Sequence, residues 1–415
     1  MKPLILNSED HRGGAARAAY RLHLALRGIG VESSMLVQIR DGTDPFVIGP
    51  RTVFGNMAGR VRTALDLLPL VWSARGRAHD TFYPGWLPDS SSRRIKRLAP
   101  DLVHLHWITG GFVNVNSLRA YGVPLVWTLH DMWAFTGGCH YDDSCGRYLS
   151  ACGRCPALAS DRVEDVSTTG WRRKNDAYRD LALNIVTPSR WLAGLARSSP
   201  LLGHFPVHVI PNAIDIDTFR PIEKRVAREK LGLPVDRKII LFGALRATSE
   251  KRKGFHLLQP ALKSISVSAA GRDAIAVVMG ANRPDEPPDF GVQSNFLGTL
   301  AEDAALVLAY SAADVFVAPS TQENLSNSVL EAMACGTPVV AFDIGGMPDM
   351  IDHRVNGYLA KPFETGDLAN GLQWAIEDAS KAMALSERAR QKIVTTSAAA
   401  RVAGLHRSLY ESLLK

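Results

Sequence analysis

Short runs of branched apolar residues alternate with helix-like stretches along most of the chain, and this alternation constrains the fold more than any other feature. The first run, KPLILNS, is followed by the helical pattern GGAARAAYRLHLALRGIG and then by the run ESSMLVQI. Each run has the length of a strand and is largely apolar, which is typical of strands buried on both faces. The sequence therefore predicts α/β folding, with parallel sheets covered by helices on both sides.

The alternation is interrupted over residues 200–221, where PLLGHFPVHVIPNAIDIDTFRP contains two proline-anchored turns and little helical periodicity. Strand-like runs resume after it, from KIILFGAL to NGYLAKP. We predict two doubly wound domains, residues 1–205 and 206–385, and a C-terminal helix over 386–415 that packs back on the first domain. Ligands of such sheets bind at the carboxyl ends of the strands, so we expect a cleft between the domains.

The amino-acid composition indicates where in the cell the protein works and which kinds of partner it binds. No stretch approaches the roughly 18 apolar residues of a membrane span, and the N-terminus MKPLILNSED lacks the apolar run of a signal peptide. These features predict a cytoplasmic protein, in which clustered cysteines are reduced thiols or metal ligands more often than disulfides. The net charge of +7 favours anionic partners.

Much of the positive charge lies between residues 51 and 97, where arginines and a lysine interleave with LDLLPLVW. Two interpretations stay open. The segment is either a solvated helix face or a surface that rests on the anionic inner face of the plasma membrane. Nucleic-acid binding is not expected, because the chain contains no recognised nucleic-acid module.

The most specific motif is PSTQENLSNSVLEAMACGTPVVAFDIGGMPDMI, residues 319–351. A strand gives way to a polar loop, and the pattern predicts a helix that begins near Asn327 and ends at Gly336. The N–H groups and positive dipole end at such a helix start suit a phosphate. Glu331 lies one turn into the helix, and Glu323 precedes it by eight residues, so the two carboxylates can reach different parts of one ligand. Without a ligand they would be a helix cap and a surface charge.

The E-x7-E arrangement within PS-x-x-E…LEAMACGTPVV…GG-x-P resembles the donor-binding signature of retaining glycosyltransferases with the GT-B fold, family 4. Four further segments match that family in order: GGAARAA, VIPNAIDIDTFRP, LFGALRATSEKRKGFHLL and NFLGTL…LVLAYSAADVFVAPS. The resemblance covers most of the chain. It implies two Rossmann-like domains, a nucleotide-sugar donor such as a UDP- or GDP-sugar, and no cofactor required for catalysis.

The resemblance also implies roles for individual residues of the second domain. Glu331 would hold the ribose of the donor, and Glu323 would contact its sugar near the reacting face. Arg246 and Lys253 would neutralise the diphosphate, with Lys251 and Arg252 as rivals of Lys253. The diphosphate would also be bound by backbone N–H groups, those of Asn324, Leu325 and Ser326. The family usually has a Phe-Gly pair where this chain has Asn-Leu, so the loop differs in detail.

In the first domain, TLHD places His130 just after a strand. The family has a histidine in this context that contacts the donor sugar near its anomeric carbon, and a purely structural role is the alternative. Asp131 would orient this histidine. Gly13 and Gly14 of GGAARAA would let the backbone approach a phosphate or the acceptor. VHLHW ends another strand, where Trp107 either stacks on a sugar or packs in the core.

The resemblance implies transfer with retention, in which the departing phosphate accepts the proton of the acceptor. The acceptor would be a glycan or a lipid-linked saccharide in polysaccharide biosynthesis, because the cysteine-rich loop most resembles the exopolysaccharide and colanic-acid subset of the family. Two other interpretations stay open. One is a nucleotide-sugar epimerase or sugar phosphorylase on the same fold, and the other is a non-catalytic, basic, zinc-bearing binding protein.

Four of the five cysteines lie in one loop, residues 137–156, at Cys139, Cys145, Cys152 and Cys155. The spacing C-x5-C-x6-C-x2-C suits a tetrahedral structural zinc, with disulfides or free thiols as alternatives and His140 as a substitute ligand. A closed site of four thiolates leaves no position for substrate. We therefore interpret the loop as a flap that shapes the acceptor pocket.

Overall fold

The computed structural model describes residues 1–73, 82–243 and 250–415. They form two compact units, one of residues 1–211 and 402–415 and the other of residues 212–401. The division at Pro211 falls within the proline-rich interruption, whereas the sequence analysis placed it after residue 205. The C-terminal segment that was predicted as residues 386–415 is divided between the units. Residues 402–415 belong to the first unit, and residues 386–401 belong to the second.

Seven parallel strands form the sheet of the first unit: β1 (Pro3–Glu9), β2 (Ser34–Ile39), β3 (Val47–Ile48), β4 (Leu102–Leu105), β5 (Leu125–Thr128), β6 (Leu183–Thr187) and β7 (Val207–Val209). Their order is β3-β2-β1-β4-β5-β6-β7. The sheet grows outward from β1 in both directions, which is the predicted doubly wound arrangement. The two outermost strands, β3 and β7, were not predicted, because neither forms a long apolar run.

The described helices of this unit follow or precede the strands in alternation: α1 (Gly14–Gly28), α2 (Val53–Asp66), α3 (Leu68–Ser73), α4 (Ser91–Leu98), α5 (Val166–Tyr178) and α6 (Arg190–Ser198). Short 3₁₀ turns occupy Val115–Ala120, Trp133–Phe135, Arg147–Leu149 and Pro156–Leu158. Helix α1 shows why the pattern folds this way: Ala19, Leu22 and Leu26 recur at helical spacing and are buried against the sheet.

The second unit has six parallel strands: β8 (Lys238–Gly243), β9 (Ala274–Met279), β10 (Gln293–Phe296), β11 (Val315–Ala318), β12 (Val339–Phe342) and β13 (Gly357–Ala360). Their order is β10-β9-β8-β11-β12-β13. Ile239 and Leu241 belong to one buried apolar cluster, and Ile240 and Phe242 to another. Because successive strand residues point to opposite faces, both faces of β8 are covered, as its unbroken apolar run predicted.

The helices of the second unit are α7 (Lys224–Lys230), α8 (Phe255–Ser266), α9 (Ala269–Arg272), α10 (Asp303–Ala312), α11 (Asn327–Ala334), α12 (Met347–Met350), α13 (Thr365–Ile376) and α14 (Ala379–Ser397), with a 3₁₀ turn at Lys251–Lys253. The last helix, α15 (Ala399–Leu413), runs across the division at residue 402. No helix in the described part of the chain is long and apolar enough to span a bilayer.

The end of α15 is fixed in the core of the first unit. The hydroxyl of Tyr410 lies 2.6 Å from Nδ1 of His104 on β4, and both side chains are fully buried. The other ring nitrogen, Nε2, lies 2.7 Å from the hydroxyl of Thr128 on β5. A buried imidazole that loses one of these partners keeps an unsatisfied polar atom, so the contact joins the chain end to the central strands.

We therefore expect Tyr410→Phe to lower the free energy of unfolding by about 1–2 kcal/mol, because it leaves His104 with one partner instead of two. Urea denaturation followed by circular dichroism measures this loss. Tyr358→Phe is the matched control, since its hydroxyl bonds the partly exposed Asp367 and water can replace it. Equal losses in the two variants would contradict the anchoring role of Tyr410.

Candidate active site

The polar loop after β11 ends in a capped helix. Ser326 precedes α11, and its hydroxyl accepts a hydrogen bond from the backbone N–H of Val329. The helix ends before Gly336, whose φ of 76° is a conformation that favours glycine. The helix predicted from Asn327 to Gly336 is thus confirmed, and it presents its N-terminus at the carboxyl edge of the second sheet.

Glu323 lies in this loop and forms a nearly buried ion pair. Its Oε2 accepts hydrogen bonds from Nζ of Lys253 at 2.9 Å and from Nη1 of Arg252 at 3.4 Å. Burial alone would raise the pKa of the Glu323 carboxyl, but the two cations outweigh burial and hold that pKa below its ordinary value. Glu323 is therefore ionised at neutral pH and cannot act as a general acid there.

Two glycines let the backbone close around Glu323. Gly345 has a φ of 52°, and a Cβ there would overlap the carbonyl oxygen of Glu323. The next residue, Gly346, donates its N–H to that same oxygen at 3.3 Å. On the opposite side, Gly254 has a φ of 73°, and a Cβ there would overlap the carbonyl oxygen of Pro319. These contacts give a physical reason for the GG-x-P and KG segments of the motif.

A small cavity opens at the carboxyl ends of β8 and β11. Its polar lining comprises Lys253 and the serines at positions 320, 326 and 328. One ammonium group, three hydroxyl groups and the start of α11 converge here, and none of the described residues that line the cavity is a carboxylate. This lining suits an anion such as a phosphate.

Glu331 occupies the interior of the second unit. It is 2% exposed, and its Oε2 accepts a hydrogen bond at 2.9 Å from the hydroxyl of Tyr310 on α10. Neither Glu323 nor Glu331 is therefore a helix cap or a free surface charge, which was the alternative open from the sequence. The cap is Ser326.

The other predicted donor residues are distributed around this edge. Asn324 and Leu325 are buried in the loop beside Glu323. Of the rivals of Lys253, Arg252 also reaches Glu323, whereas Lys251 is exposed. No sequence signal indicates a second cation beside Lys253, so Arg252 was not predicted as a partner of Glu323. Arg246 lies outside the described residues.

In the first unit, His130 follows β5 and lies against His106, which follows β4. Nε2 of His130 is 2.9 Å from Nδ1 of His106, and the two rings stack with centroids 5.1 Å apart. Burial lowers the pKa of His130 to about 4, against the opposing effect of Asp131, so this histidine is neutral at pH 7. Sequence analysis placed His106 at a strand end but did not pair it with His130.

Asp131 anchors the cysteine-rich loop. Its Oδ2 lies 2.6 Å from Nδ1 of His140 and accepts from Nε1 of Trp107 at 3.2 Å, and its Oδ1 accepts from the N–H of Trp133. Burial alone would raise the pKa of the Asp131 carboxyl. The nearby groups, His140 above all, outweigh burial and hold that pKa below its ordinary value. Trp107 stacks on His140, with ring centroids 5.5 Å apart. His140, predicted as a substitute zinc ligand, instead connects the loop to this edge.

The four thiols of the loop are free, with no disulfide among them. Cys139 and Cys155 are buried in one apolar cluster with Leu70, Phe82 and Leu158. Burial raises the pKa of the Cys139 and Cys155 thiols, and that of Cys152 to about 12. Without a metal, the thiols of Cys139, Cys152 and Cys155 are therefore protonated at neutral pH.

The described residues include all four of these cysteines, yet they contain no group of three or more His, Cys, Asp or Glu side chains arranged to hold a metal ion. The tetrahedral zinc site stays a prediction. Metal analysis of the purified protein, with Cys152→Ser and Cys155→Ser beside it, tests it directly. Stoichiometric zinc that both variants lose would establish the site.

Gly13 lies between β1 and α1, at the carboxyl edge of the first sheet, and Gly14 is the first residue of α1. Gly13 has a φ of 89° and precedes the first turn of α1. A side chain there would be strained by the backbone conformation, although no neighbouring atom would obstruct it. The glycine therefore sets the backbone path into the helix.

Two family models match the chain. Residues 12–218 match Glycosyltransferase Family 4, and residues 223–392 match Glycosyl transferases group 1. The D-inositol 3-phosphate glycosyltransferase of Mycobacterium tuberculosis is 27% identical over 363 residues, which cover 85% of this chain and 68% of that protein. The two family matches leave only the chain ends and a few residues between them unmatched.

Solved structures resemble the whole chain. Sucrose-phosphate synthase from Thermosynechococcus elongatus has a TM-score of 0.68 at 19% identity, covering 100% of this chain and 99% of that chain. Anabaena HepE in complex with UDP-glucose has a TM-score of 0.66 at 18% identity and full coverage of both chains. At these identities the likeness establishes the fold.

The chain therefore belongs to the family 4 glycosyltransferases and has the GT-B architecture of two Rossmann-like units. It is a transferase, as the resemblance implied.

The buried histidines of the first unit predict acid instability. Burial lowers the pKa of His104 and His106 well below 6.5, that of His130 to about 4 and that of His406 to about 3. The unfolded chain then binds more protons than the folded chain, so stability is full above about pH 6.5 and falls as the pH drops toward 4.

Melting temperatures between pH 7.5 and 5 measure this dependence. We expect His406→Phe to flatten the slope, because one buried site that the unfolded chain protonates is removed. His256→Gln, at an exposed position of α8, is the control and should keep the slope of the unmodified protein. An unchanged slope in His406→Phe would show that this histidine is not kept neutral by burial.

Proposed function

We propose that this glycosyltransferase moves a sugar, with retention of anomeric configuration, from a nucleotide-sugar to a glycan or lipid-linked saccharide in polysaccharide biosynthesis. The observation that carries the proposal is the nearly buried pair of Glu323 with Lys253, beside the serine-lined cavity at the start of α11. It sets a fixed carboxylate and a fixed ammonium group at the strand edge where ligands of such sheets bind.

The donor would occupy this edge of the second unit. Its diphosphate would bind beside the start of α11, where the Lys253 ammonium and the N–H groups of residues 324–326 would oppose its charge. Glu323 would then accept hydrogen bonds from the sugar, and Glu331 from the ribose. Anabaena HepE has been solved with UDP-glucose, which supports a UDP-sugar, and a GDP-sugar remains the alternative.

His130 would contribute a neutral imidazole to the donor sugar. At pH 7 it can donate one hydrogen bond and accept one, and it brings no positive charge to an oxocarbenium-like centre. Its contact with His106 would fix the ring orientation. We propose His130 as the first-unit residue nearest the anomeric carbon.

Retention is proposed from the family resemblance, with the departing phosphate accepting the proton. The ionisation of the described carboxylates is compatible with this route. Glu323 and Asp131 both have pKa values held below their ordinary range, so neither is poised near pH 7 as a general base. Arg246 is proposed as a second cation on the diphosphate, and no metal ion is assigned a role in transfer.

The acceptor would bind the first unit at the cytoplasmic face of the plasma membrane. The basic segment between residues 51 and 97 supports contact with an anionic membrane surface. The flap formed by the cysteine-rich loop, tied to Asp131 through His140, would shape the acceptor pocket.

A panel of UDP-, GDP- and ADP-sugars should reveal the donor as the compound that raises the melting temperature and is slowly hydrolysed. Hydrolysis should persist in EDTA, because cations and helix N–H groups replace a metal at the diphosphate. The anomeric configuration of the transferred sugar, determined by NMR, should match that of the donor. No stabilisation by any nucleotide-sugar, or turnover only with inorganic phosphate, would contradict the proposal.

Glu323→Gln should lower kcat by about 10²–10³, because a fixed charge beside the reacting sugar is lost. Glu250→Gln is the matched control, since Glu250 also pairs with Arg252, at 2.7 Å, but its side chain is 37% exposed, against 11% for Glu323. It should keep nearly full activity. Equal losses in the two variants would show that Glu323 acts only through local structure.

A further inference from the structure

Helix α2 turns its apolar side outward. Val53 is 78% exposed and Phe54 84%, and the exposed row continues through Met57, Val61 and Leu65. At about 100° per residue these five positions fall on one side of the helix. Single exposed apolar side chains are ordinary, but a contiguous apolar side of a helix marks an interaction surface.

The exposed row continues beyond α2. Leu68 and Val71 of α3 are also exposed, the latter by 62%. We call these seven residues the α2 face: Val53, Phe54, Met57, Val61, Leu65, Leu68 and Val71. Helix α2 alone extends this face over roughly 21 Å, at 1.5 Å per residue.

The opposite side of α2 is fixed to the first unit. Gly59 packs so closely that a Cβ there would meet the carbonyl oxygen of Gln38, at the end of β2. The Gln38 amide donates to the carbonyl oxygens of Gly59 and Gly110. The Asn56 amide exchanges two hydrogen bonds with the backbone of Arg40. The helix is therefore anchored, and its outward apolar side is not the result of a loose segment.

Charges around the α2 face are positive. Arg60 is exposed at one edge of the helix, and Arg62 lies at the other edge, where its guanidinium donates to the carbonyl oxygens of Gly111 and Pro88. Asp66 is the one acidic residue of α2, and it is fully buried with its carboxylate accepting from two backbone N–H groups. Helix α4 of the same unit also carries exposed bases, namely Arg93, Lys96 and Arg97.

We propose that the α2 face inserts into an anionic bilayer, with the flanking arginines against lipid phosphates. An apolar face bordered by basic residues is the arrangement of helices that lie in a membrane interface. A second copy of the chain fits less well, because a two-fold contact through this face would bring the same basic edges together. Membrane binding by the α2 face does not depend on the proposed function. Only its biological role, which is access to a lipid-linked acceptor, rests on that function.

That role follows from where α2 is anchored. Gly59 of α2 accepts a hydrogen bond from Gln38 at the carboxyl end of β2, and Thr63 of α2 donates one to the carbonyl oxygen of Gly110 in the loop after β4. The same loop begins with His106, the partner of His130. Helix α2 therefore lies beside the strand edge that carries these histidines, with its apolar side turned outward. A saccharide on a lipid anchor would reach that edge without leaving the membrane, which favours a lipid-linked acceptor over a free glycan.

Sedimentation of the full-length protein with vesicles tests the proposal. We expect binding to vesicles of phosphatidylcholine with phosphatidylglycerol, little binding to phosphatidylcholine alone, and weaker binding at high salt. The double variant Met57→Glu/Val61→Glu should bind at least tenfold more weakly, because two buried apolar contacts are replaced by charges. Met383→Glu is the matched control, since Met383 is 79% exposed on α14, and it should bind like the unmodified protein.

Equal vesicle binding by the double variant and the unmodified protein would overturn the proposal, as would no binding of the unmodified protein to anionic vesicles. A dimer in sedimentation equilibrium that the double variant makes monomeric would assign the face to self-association instead. The thermal shift with a UDP-sugar is measured on the same samples. Loss of that shift with vesicle binding intact would contradict the proposed donor site and leave the membrane face standing.

Discussion

The site in the second unit depends on the ion pair between Glu323 and Lys253. Removing an ionised carboxylate from water costs free energy unless a cation lies beside it. Lys253 and Arg252 together keep the nearly buried Glu323 carboxylate ionised. The pair also closes the polar loop against the turn at residues 251–253. Gly345 and Gly254 permit this closure, because a side chain at either position would overlap a backbone carbonyl. The start of α11 and its serine-lined cavity are held in place by the same closure.

The core of the first unit contains imidazole rings, and each of them needs hydrogen-bond partners because it is buried. His104 has a hydroxyl at each ring nitrogen, and His106 and His130 bond each other. Burial keeps these rings neutral at physiological pH. His130 is thus neutral at pH 7, whereas Glu323 in the second unit is ionised. The chain end takes part through Tyr410, so the first unit is complete only with residues 402–415.

Most strands could be predicted because unbroken apolar runs such as KIILFGAL mark strands buried on both faces. The edge strands β3 and β7 could not, since they are too short to form a run. Local motifs also predicted the helix at Asn327. They could not predict partners 70 residues apart, such as Lys253 and Glu323, or 24 apart, such as His106 and His130. The α2 face was ambiguous because apolar periodicity does not say which side of a helix meets the core; Gly59 and Asp66 decide that.

A double-mutant cycle on Glu323 and Lys253 tests the central claim most directly. Glu323→Gln, Lys253→Met and the double variant would be compared by the affinity for the donor's nucleoside diphosphate in calorimetry. If the pair is preorganised for the donor, the effects of the single changes are not additive, and the coupling is of the order of 1 kcal/mol or more. Additive effects, within about 0.3–0.5 kcal/mol, would contradict the claim that the two residues act as one unit.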